Sequence, residues 1–503
     1  MTSYVLGIDS GSTAVKVSVF DPNGRVVSRG SAPTPRAEVG AGRVERNPDR
    51  HWDAVAEAVR STVRASSIDA RRISAIGLAG QGDGVQLVDQ AGEALGAAIL
   101  SSDTRATGVV ERWAADGTLD TLRALTGQIP FPGSPAPLLR WLLDTDPDAL
   151  RDASWLLSAK DWLRLRMTGQ IHTDRTDASA SFADADTHEY SPEALSVTGL
   201  ESVSRLLPPM IEPCDVSGAL TVSAAEQMGL VEGTLVVAGV HDVAATLLGS
   251  VGLQIGHLCV IVGTFGVNVM LTPLALRSAS LNTRSGPTAG LWTARRTSRA
   301  STANVEWMGR IISPSGDRDE LTRAALKRAI AVAAPYEPPT YIPFLFGGNA
   351  GQPDSASFFG LRSWHTVDDL ARAVVEGVIF NHRHDVHVIA EELAVKSIHL
   401  AGGVVHDAGW RQLFADAFGR PISFAPGDDA GTRGAAMCAA VGAGWFAELS
   451  EATRAFAPRL EYVAPGAETE PLERRFAIYQ DAVEVAKGFD ARRSASTLTP
   501  EGR

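Results

Sequence analysis

The run Gly7-Ile8-Asp9-Ser10-Gly11-Ser12-Thr13-Ala14-Val15-Lys16 places a carboxylate, three hydroxyls and an amine around a glycine-bearing turn. A turn of small residues brings several backbone N–H groups up to a phosphate, and Ser10, Ser12 and Thr13 add donors of their own. Asp9 would repel that phosphate unless a divalent cation lay between them, so Asp9 predicts magnesium, bound through water. The pattern is neither a P-loop nor a GxGxxG fingerprint. A glycine-rich turn alone suits an ordinary hairpin equally well, and it is the combination of Asp9, Thr13 and Lys16 that points to phosphate.

Three further groups of residues carry possible chemistry. In Gly239-Val240-His241-Asp242-Val243-Ala244-Ala245 an acid follows an apolar strand and small residues open a helix. That puts Asp242 at the carboxyl end of a strand, facing a cleft, where it can take a proton from an attacking hydroxyl. Taken alone, Asp242 in that place reads as a helix N-cap. Gly263-Thr264-Phe265-Gly266 is a second turn able to hold phosphate oxygens, or a plain hairpin turn. Ala401-Gly402-Gly403, followed by Trp410, Gln412 and Asp416, lets the backbone approach a flat ligand such as adenine, or simply joins a strand tightly to a helix. His241, His406 and the group His382, His384 and His387 lack acidic or cysteine partners at metal-ligand spacing, so they read as packing or solvated histidines.

The elements that must position these residues alternate in type. Val5–Phe20 and 24–31 read as glycine-punctuated strands with a turn at Asp21-Pro22-Asn23-Gly24. Residues 48–65 carry helical periodicity, with Trp52, Val55, Val59 and Val63 on one side. A short strand over 73–78 ends at Gly80-Gln81-Gly82-Asp83-Gly84, and 137–168 reads as mostly helical with Trp141, Trp155 and Trp162 as packing anchors. Near residue 256 the opening plan recurs as strand, glycine turn and strand. A long helix over 367–393, a strand over 398–400, a helix over 409–418 and a last helix over 472–486 follow, ahead of a flexible tail at 491–503. The repeated plan predicts an α/β protein of two related domains, 1–250 and 251–490.

Bulk properties narrow the classes further. With 503 residues, 45% of them hydrophobic, the chain can bury the cores of two domains. The charge of −12, without basic runs, disfavours nucleic acid and anionic membranes, so phosphate must be held by local devices. Cys214, Cys259 and Cys438 show no CxxC or zinc spacing and read as reduced thiols. The most apolar region, 235–271, is interrupted by His241, Asp242, Gln254, His257 and Asn268 and is no membrane span. A cytoplasmic protein is expected.

Taken in order, these motifs resemble the FGGY family of carbohydrate kinases from about residue 4 to about residue 485. Asp9 to Lys16 is similar to its first phosphate loop, Gly42-Arg43-Val44-Glu45 to Trp52 to its "G-x-x-E…P…W" stretch, and Gln81 to Gly84 and Ser102-Asp103-Thr104-Arg105 to its substrate-side segments. Lys160-Asp161-Trp162, Gly169, Thr173-Asp174 and Asp177-Ala178-Ser179 resemble another of its patterns, and Glu376-Gly377 with Arg383 a further one. Gly402-Gly403, Trp410, Gln412, Ala415-Asp416 and Gly434-Ala435-Ala436 resemble its adenosine side. The resemblance implies two actin-like, ribonuclease-H-type ATPase domains with ATP and sugar meeting in an interdomain cleft that closes on substrate. It implies Asp242 as catalytic base and Asp9 as the magnesium residue. Ser12, Thr13, Lys16, Gly263, Thr264, Gly402, Gly403 and Asp407 are implied as ATP contacts, and Gln81, Gly82, Asp83, Asp103, His241 and Asp242 as sugar contacts. Homodimers are common in that family, although this chain carries no interface signal.

For the substrate, Gln81-Gly82-Asp83-Gly84 departs from the Gln-Met-His-Gly of typical D-xylulokinases, which predicts more room and a carboxylate for sugar hydroxyls. Residues 98–105 and 137–142 resemble the L-xylulokinase branch, although Leu138 stands where many members have lysine. The expectation is a kinase for a primary hydroxyl of an L-xylulose-like pentulose, with erythritol, pentitol or D-xylulose kinases as alternatives. An ATP-hydrolysing conformational switch or a sugar sensor on the same fold is the alternative of another class.

Overall fold

The computed structural model describes residues 3–497 apart from 36, 39, 41, 333–336, 349–350 and 428. The chain forms two compact units that interleave in sequence: Met1–Ile255, Met270–Ala294 and Asp429–Pro458 make the first, and Gly256–Val269, Arg295–Asp428 and Arg459–Arg503 the second.

The first unit is built on a mixed sheet in which Val216–Ala219, Leu235–Val237, Ile73–Gly80, Tyr4–Ser10, Ala14–Phe20 and Val26–Pro33 lie side by side. Tyr4–Ser10 is antiparallel to Ala14–Phe20 and parallel to Ile73–Gly80, and the two-residue strand Val240–His241 adds on beside Ala79 and Gly80. Buried strands covered on both faces must be apolar on both sides. Val5, Leu6, Ile8, Val15, Val17, Val19, Ile76 and Leu78 meet that requirement. One face takes the helix Pro48–Ser66, which starts from an Asn47 cap with proline in its first turn and buries Trp52, Val55, Val59 and Val63. The other takes the helix Ala430–Gly442. It approaches so closely that a Cβ on Gly7 or Gly77 would lie 1.9 Å from the carbonyl oxygens of Thr432 and Ala435. Gly434-Ala435-Ala436, matched above to an adenosine pattern, thus lies in this unit's core.

The second unit repeats the plan. His257–Val262 pairs antiparallel with Gly266–Thr272 and parallel with Ser397–Gly402, which pairs parallel with Ile422–Phe424. The helix Val367–Glu392 matches its expected span. The final helix runs Thr469–Thr497, longer than expected. Residues 491–497 of the expected tail are therefore helical, and 498–503 lie outside the described residues. Trp155 also differs from expectation, lying on a strand, Trp155–Leu157, rather than a helix. Among the described residues, no helix is long and apolar enough to cross a membrane.

His382, one of the histidines singled out in the sequence, packs inside the second unit in a way that makes stability depend on pH. His382 is fully buried, with Nδ1 3.0 Å from Asn268 Oδ1 and Nε2 3.3 Å from Ser301 Oγ. Burial pushes its pKa down to about 4. A histidine depressed in the fold is neutral there but takes a proton when unfolded, so its contribution is complete above about 6.5 and is lost as pH falls to about 4. The loss amounts to about 3 kcal/mol from this one side chain. His399, lowered to about 4 by burial and by His257, acts in the same direction. Denaturant midpoints at pH 7, 5.5 and 4.5 should fall steadily in the wild type and more shallowly in His382→Asn; equal slopes would remove His382 from the account.

Candidate active site

Three parallel strands of the first unit end together. Ser10 pairs with Gly80, and Gly80 with His241, so the residues at these ends emerge from one edge of the sheet. Asp9, Gln81 and Asp242 are brought to that edge by register alone, which is where ligands bind in open α/β sheets. Asp9 is partly exposed and faces Lys16 across the first hairpin. It lies against the first turn of the helix Ala430–Gly442, where a Cβ on Gly431 would sit 2.3 Å from Asp9 Oδ2. The positive helix end favours an anion there. In the turn, Gly11 N–H donates to the Ala14 carbonyl at 3.0 Å and the Ser12 carbonyl accepts from Arg46 at 3.4 Å.

The Gln81–Gly84 loop is pinned rather than open. Gln81 N–H donates to the Ser10 carbonyl at 2.9 Å, its Oε1 accepts from Arg46 at 3.3 Å, and its amide donates to Ser101. Gly82 does not leave extra room: a Cβ there would meet His241 Cδ2 at 2.1 Å, so the imidazole fills the space. Asp83, expected to face sugar hydroxyls, instead accepts from Arg284 through both oxygens, at 2.7 and 2.9 Å. Burial raises its pKa, but Arg284 and His241 more than offset that and hold it below the usual range. Asp103 is fully buried; its Oδ2 accepts from Val44 N–H at 2.7 Å and its carboxylate pairs with Arg105.

Asp242 opens the helix Asp242–Val251 as its first residue, and the cap position falls one residue earlier, on His241. Val243 N–H donates to Asp242 Oδ1 at 2.7 Å, and His241 Nδ1 lies 2.9 Å from the same oxygen. Among the described residues no hydrogen bond reaches Oδ2. Burial lowers the His241 pKa while Asp242 and Asp83 raise it, and the net effect is a value of about 10. That direction favours the charged ring, whose Nδ1 lies 2.9 Å from Asp242 Oδ1 and 3.1 Å from Val243 N.

Beneath this turn lies a closed charge cluster. Lys160 Nζ is 2.5 Å from Asp161 Oδ1, 2.9 Å from Asp174 Oδ2 and 3.2 Å from Asp177 Oδ2, all buried. Asp161, Asp174 and Asp177 are close enough to hold a cation. The ammonium already occupies that place, so the cluster is not a metal centre. Lys160 and Arg164 also donate to the Ala238 carbonyl at 3.3 and 2.8 Å, and His241 N–H donates to Thr176 Oγ1 at 2.8 Å. The cluster thus grips the 238–242 turn from both sides.

In the second unit, Val262 pairs with Gly402, so the Gly263–Gly266 turn and Gly403 leave the same sheet edge. The Gly263 carbonyl accepts from Thr302 N–H at 3.1 Å and its hydroxyl at 2.8 Å. Arg318 donates to Thr264 Oγ1 at 2.9 Å, which leaves the Thr264 hydroxyl hydrogen to donate elsewhere. Gly402 has φ +87° and sits against the Val262 carbonyl, a conformation that demands glycine. Asp407 caps the helix Ala408–Phe418 by accepting from Trp410 N–H at 2.8 Å. Arg46, Arg284 and Arg318 were not singled out in the sequence. Each meets its partner across dozens to hundreds of residues, and no local spacing signals such a pairing.

Comparison with known proteins gives the family of the chain. Residues 4–249 match the profile "FGGY family of carbohydrate kinases, N-terminal domain" and residues 258–443 match "FGGY family of carbohydrate kinases, C-terminal domain". The chain is 30% identical to the "L-xylulose/3-keto-L-gulonate kinase" of Escherichia coli (strain K12), over 99% of this chain and 100% of that one. It is 31% identical to the "Probable L-xylulose kinase" of Pasteurella multocida (strain Pm70), over 90% and 93%. The crystal structure of ligand-bound xylulose kinase from Lactobacillus acidophilus superimposes with a TM-score of 0.86 at 23% identity, covering 97% of this chain and 99% of that one. The fold is the two-domain, mixed α/β, actin-like ATPase architecture.

Proposed function

The chain belongs to the FGGY family of carbohydrate kinases and is an ATP-dependent sugar kinase, and from that premise we propose that it phosphorylates a primary hydroxyl of an L-xylulose-like pentulose with Asp242 as the base. The observation that carries the proposal is the Asp242 carboxylate at the shared edge of three strand ends, partly exposed and held through Oδ1 by Val243 N–H and His241. In the transfer, Asp242 takes the hydroxyl proton as that oxygen forms a bond to the γ-phosphorus. The bond from phosphorus to the bridging oxygen breaks, and ADP leaves with the electron pair. Ser12, Thr13 and Lys16 are proposed as phosphate contacts in the first unit and Gly263 and Thr264 in the second, with Gly402, Gly403 and Asp407 towards the nucleoside. Gln81, Gly82, Asp83, Asp103 and His241 then act on the sugar side chiefly by shaping the site.

Magnesium fits Asp9. The ion keeps most of its water and takes one or two carboxylates plus phosphate oxygens rather than a protein cage. One partly exposed carboxylate at a strand end suits that donor set. When bound, the ion neutralises developing charge on the phosphates.

The preference for a pentulose is supported by the names of relatives that align over nearly the whole chain. ADP release with Mg-ATP, measured across ketoses, aldoses and alditols, tests it. The highest kcat/KM is expected on L-xylulose, above D-xylulose and erythritol. Preference for an alditol would move the chain to the tetritol or pentitol kinases, and turnover indifferent to every sugar would overturn the reading.

A further inference from the structure

Four side chains from three separate segments of the chain alternate in charge across the site. Arg284, on the strand Asn282–Ser285, ends on Asp83; Asp83 Oδ2 lies 3.9 Å from His241 Nε2; and His241 ends on Asp242. The first three side chains are 5, 10 and 6% exposed, whereas Asp242 is 31% exposed, so the series runs from the interior to the surface where substrate arrives. Arg284 is itself fixed, with Nε donating to Gln128 Oε1 at 3.2 Å while the Gln128 amide donates to the Thr283 carbonyl.

We propose that Arg284, Asp83 and His241 are positioning residues that aim the Asp242 carboxylate, with Asp83 serving as an internal counter-ion rather than a sugar ligand. The inference rests on the reading of Asp242 as base. Two backbone features fit it. Asp83 sits at φ +60°, in the left-handed region, a conformation a non-glycine residue keeps only where its surroundings enforce it. Gly82 lacks the Cβ that would otherwise displace the imidazole. Because both contacts to Asp242 converge on Oδ1, they fix the rotation of the carboxylate. Charge on the ring responds to every group facing it: Asp242 from its own helix, Asp83 from the Gln81–Gly84 loop, Arg284 from its strand and Asp177 from the short helix Arg175–Ala178.

The first test needs no substrate. In histidine-labelled protein, with His241→Gln used to assign the signal, the His241 ring should remain an imidazolium up to about pH 10. Asp83→Asn removes an attracting anion and should bring the titration down. Arg284→Met removes a repelling cation and should push it up. A ring that titrates near 6.5 and ignores both changes would overturn the chain. The second test is kinetic. Each single variant is expected to lower kcat by roughly 10- to 100-fold with the KM for ATP unchanged. The double variant, which leaves no buried charge uncompensated and so guards against misfolding, should be no worse than the poorer single one. Additive losses, or effects confined to KM, would make Arg284 and Asp83 structural only. If the wild type turned over no sugar, the kinase reading would fall and the ring titration would still decide the chain.

Discussion

Asp242→Asn should lower kcat by roughly 100- to 10,000-fold on the best sugar, the usual cost of losing a general base. Asparagine keeps the size of the side chain and an oxygen to accept from Val243 N–H and His241 Nδ1–H, so the turn stays in place. What it cannot do is take the hydroxyl proton as the oxygen attacks phosphorus. Because the hydroxyl still reaches the site, KM for the sugar should change by far less than kcat, and a thermal melt should stay close to that of the wild type. ADP release measured at saturating Mg-ATP checks the prediction. A variant within a few-fold of wild-type kcat would remove Asp242 from the proton transfer and leave it as a helix-start residue.

The placement of Asp9, Asp242 and the two glycine turns at strand ends was legible in the sequence because its signal is local. An acid directly after an apolar run, followed by small residues, announces a strand end, and parallel pairing then carries several such ends to one edge. What surrounds them is not local. Asp83 reads as a free carboxylate until Arg284, about 200 positions away, is placed on it. Asp103 and Asp407 likewise read as ligands, yet their carboxylates are engaged with Val44 and Arg105 and with the start of a helix. The interleaving of the two units has the same origin. Ala430–Gly442 returns to the first sheet because Gly7 and Gly77 leave room for it, and no spacing in the sequence encodes that return. Acids thus announce themselves by position along the chain, but their counter-ions do not.

The largest effect on stability is expected at Lys160, whose motif was visible and whose burial was not. Lys160→Met would remove one ammonium from among Asp161, Asp174 and Asp177, leaving Arg164, on Asp161, as the remaining buried cation of the cluster. Removing one partner of a buried pair costs about 3–5 kcal/mol, because the anions lose both water and counter-charge. Burial by itself would lower the Lys160 pKa, but the three aspartates more than offset it and hold the ammonium charged. Asp177 is already raised to about 6, burial and the neighbouring anions outweighing Lys160. Without the lysine, the carboxylates would bind protons more tightly in the folded state than when unfolded. The defect should therefore be greatest above neutral pH and shrink as pH falls towards 5, as the folded protein takes up protons that the unfolded chain still lacks. Denaturant midpoints of wild type and Lys160→Met at pH 8 and pH 5.5 test this, provided that the wild type supplies the baseline at each pH for the acid-sensitive histidines. A variant as stable as wild type at pH 8 would show that the cluster holds no uncompensated charge. A defect that is equally large at both pH values would assign it to lost packing around the lysine stem, and the electrostatic grip on the 238–242 turn would have to be abandoned.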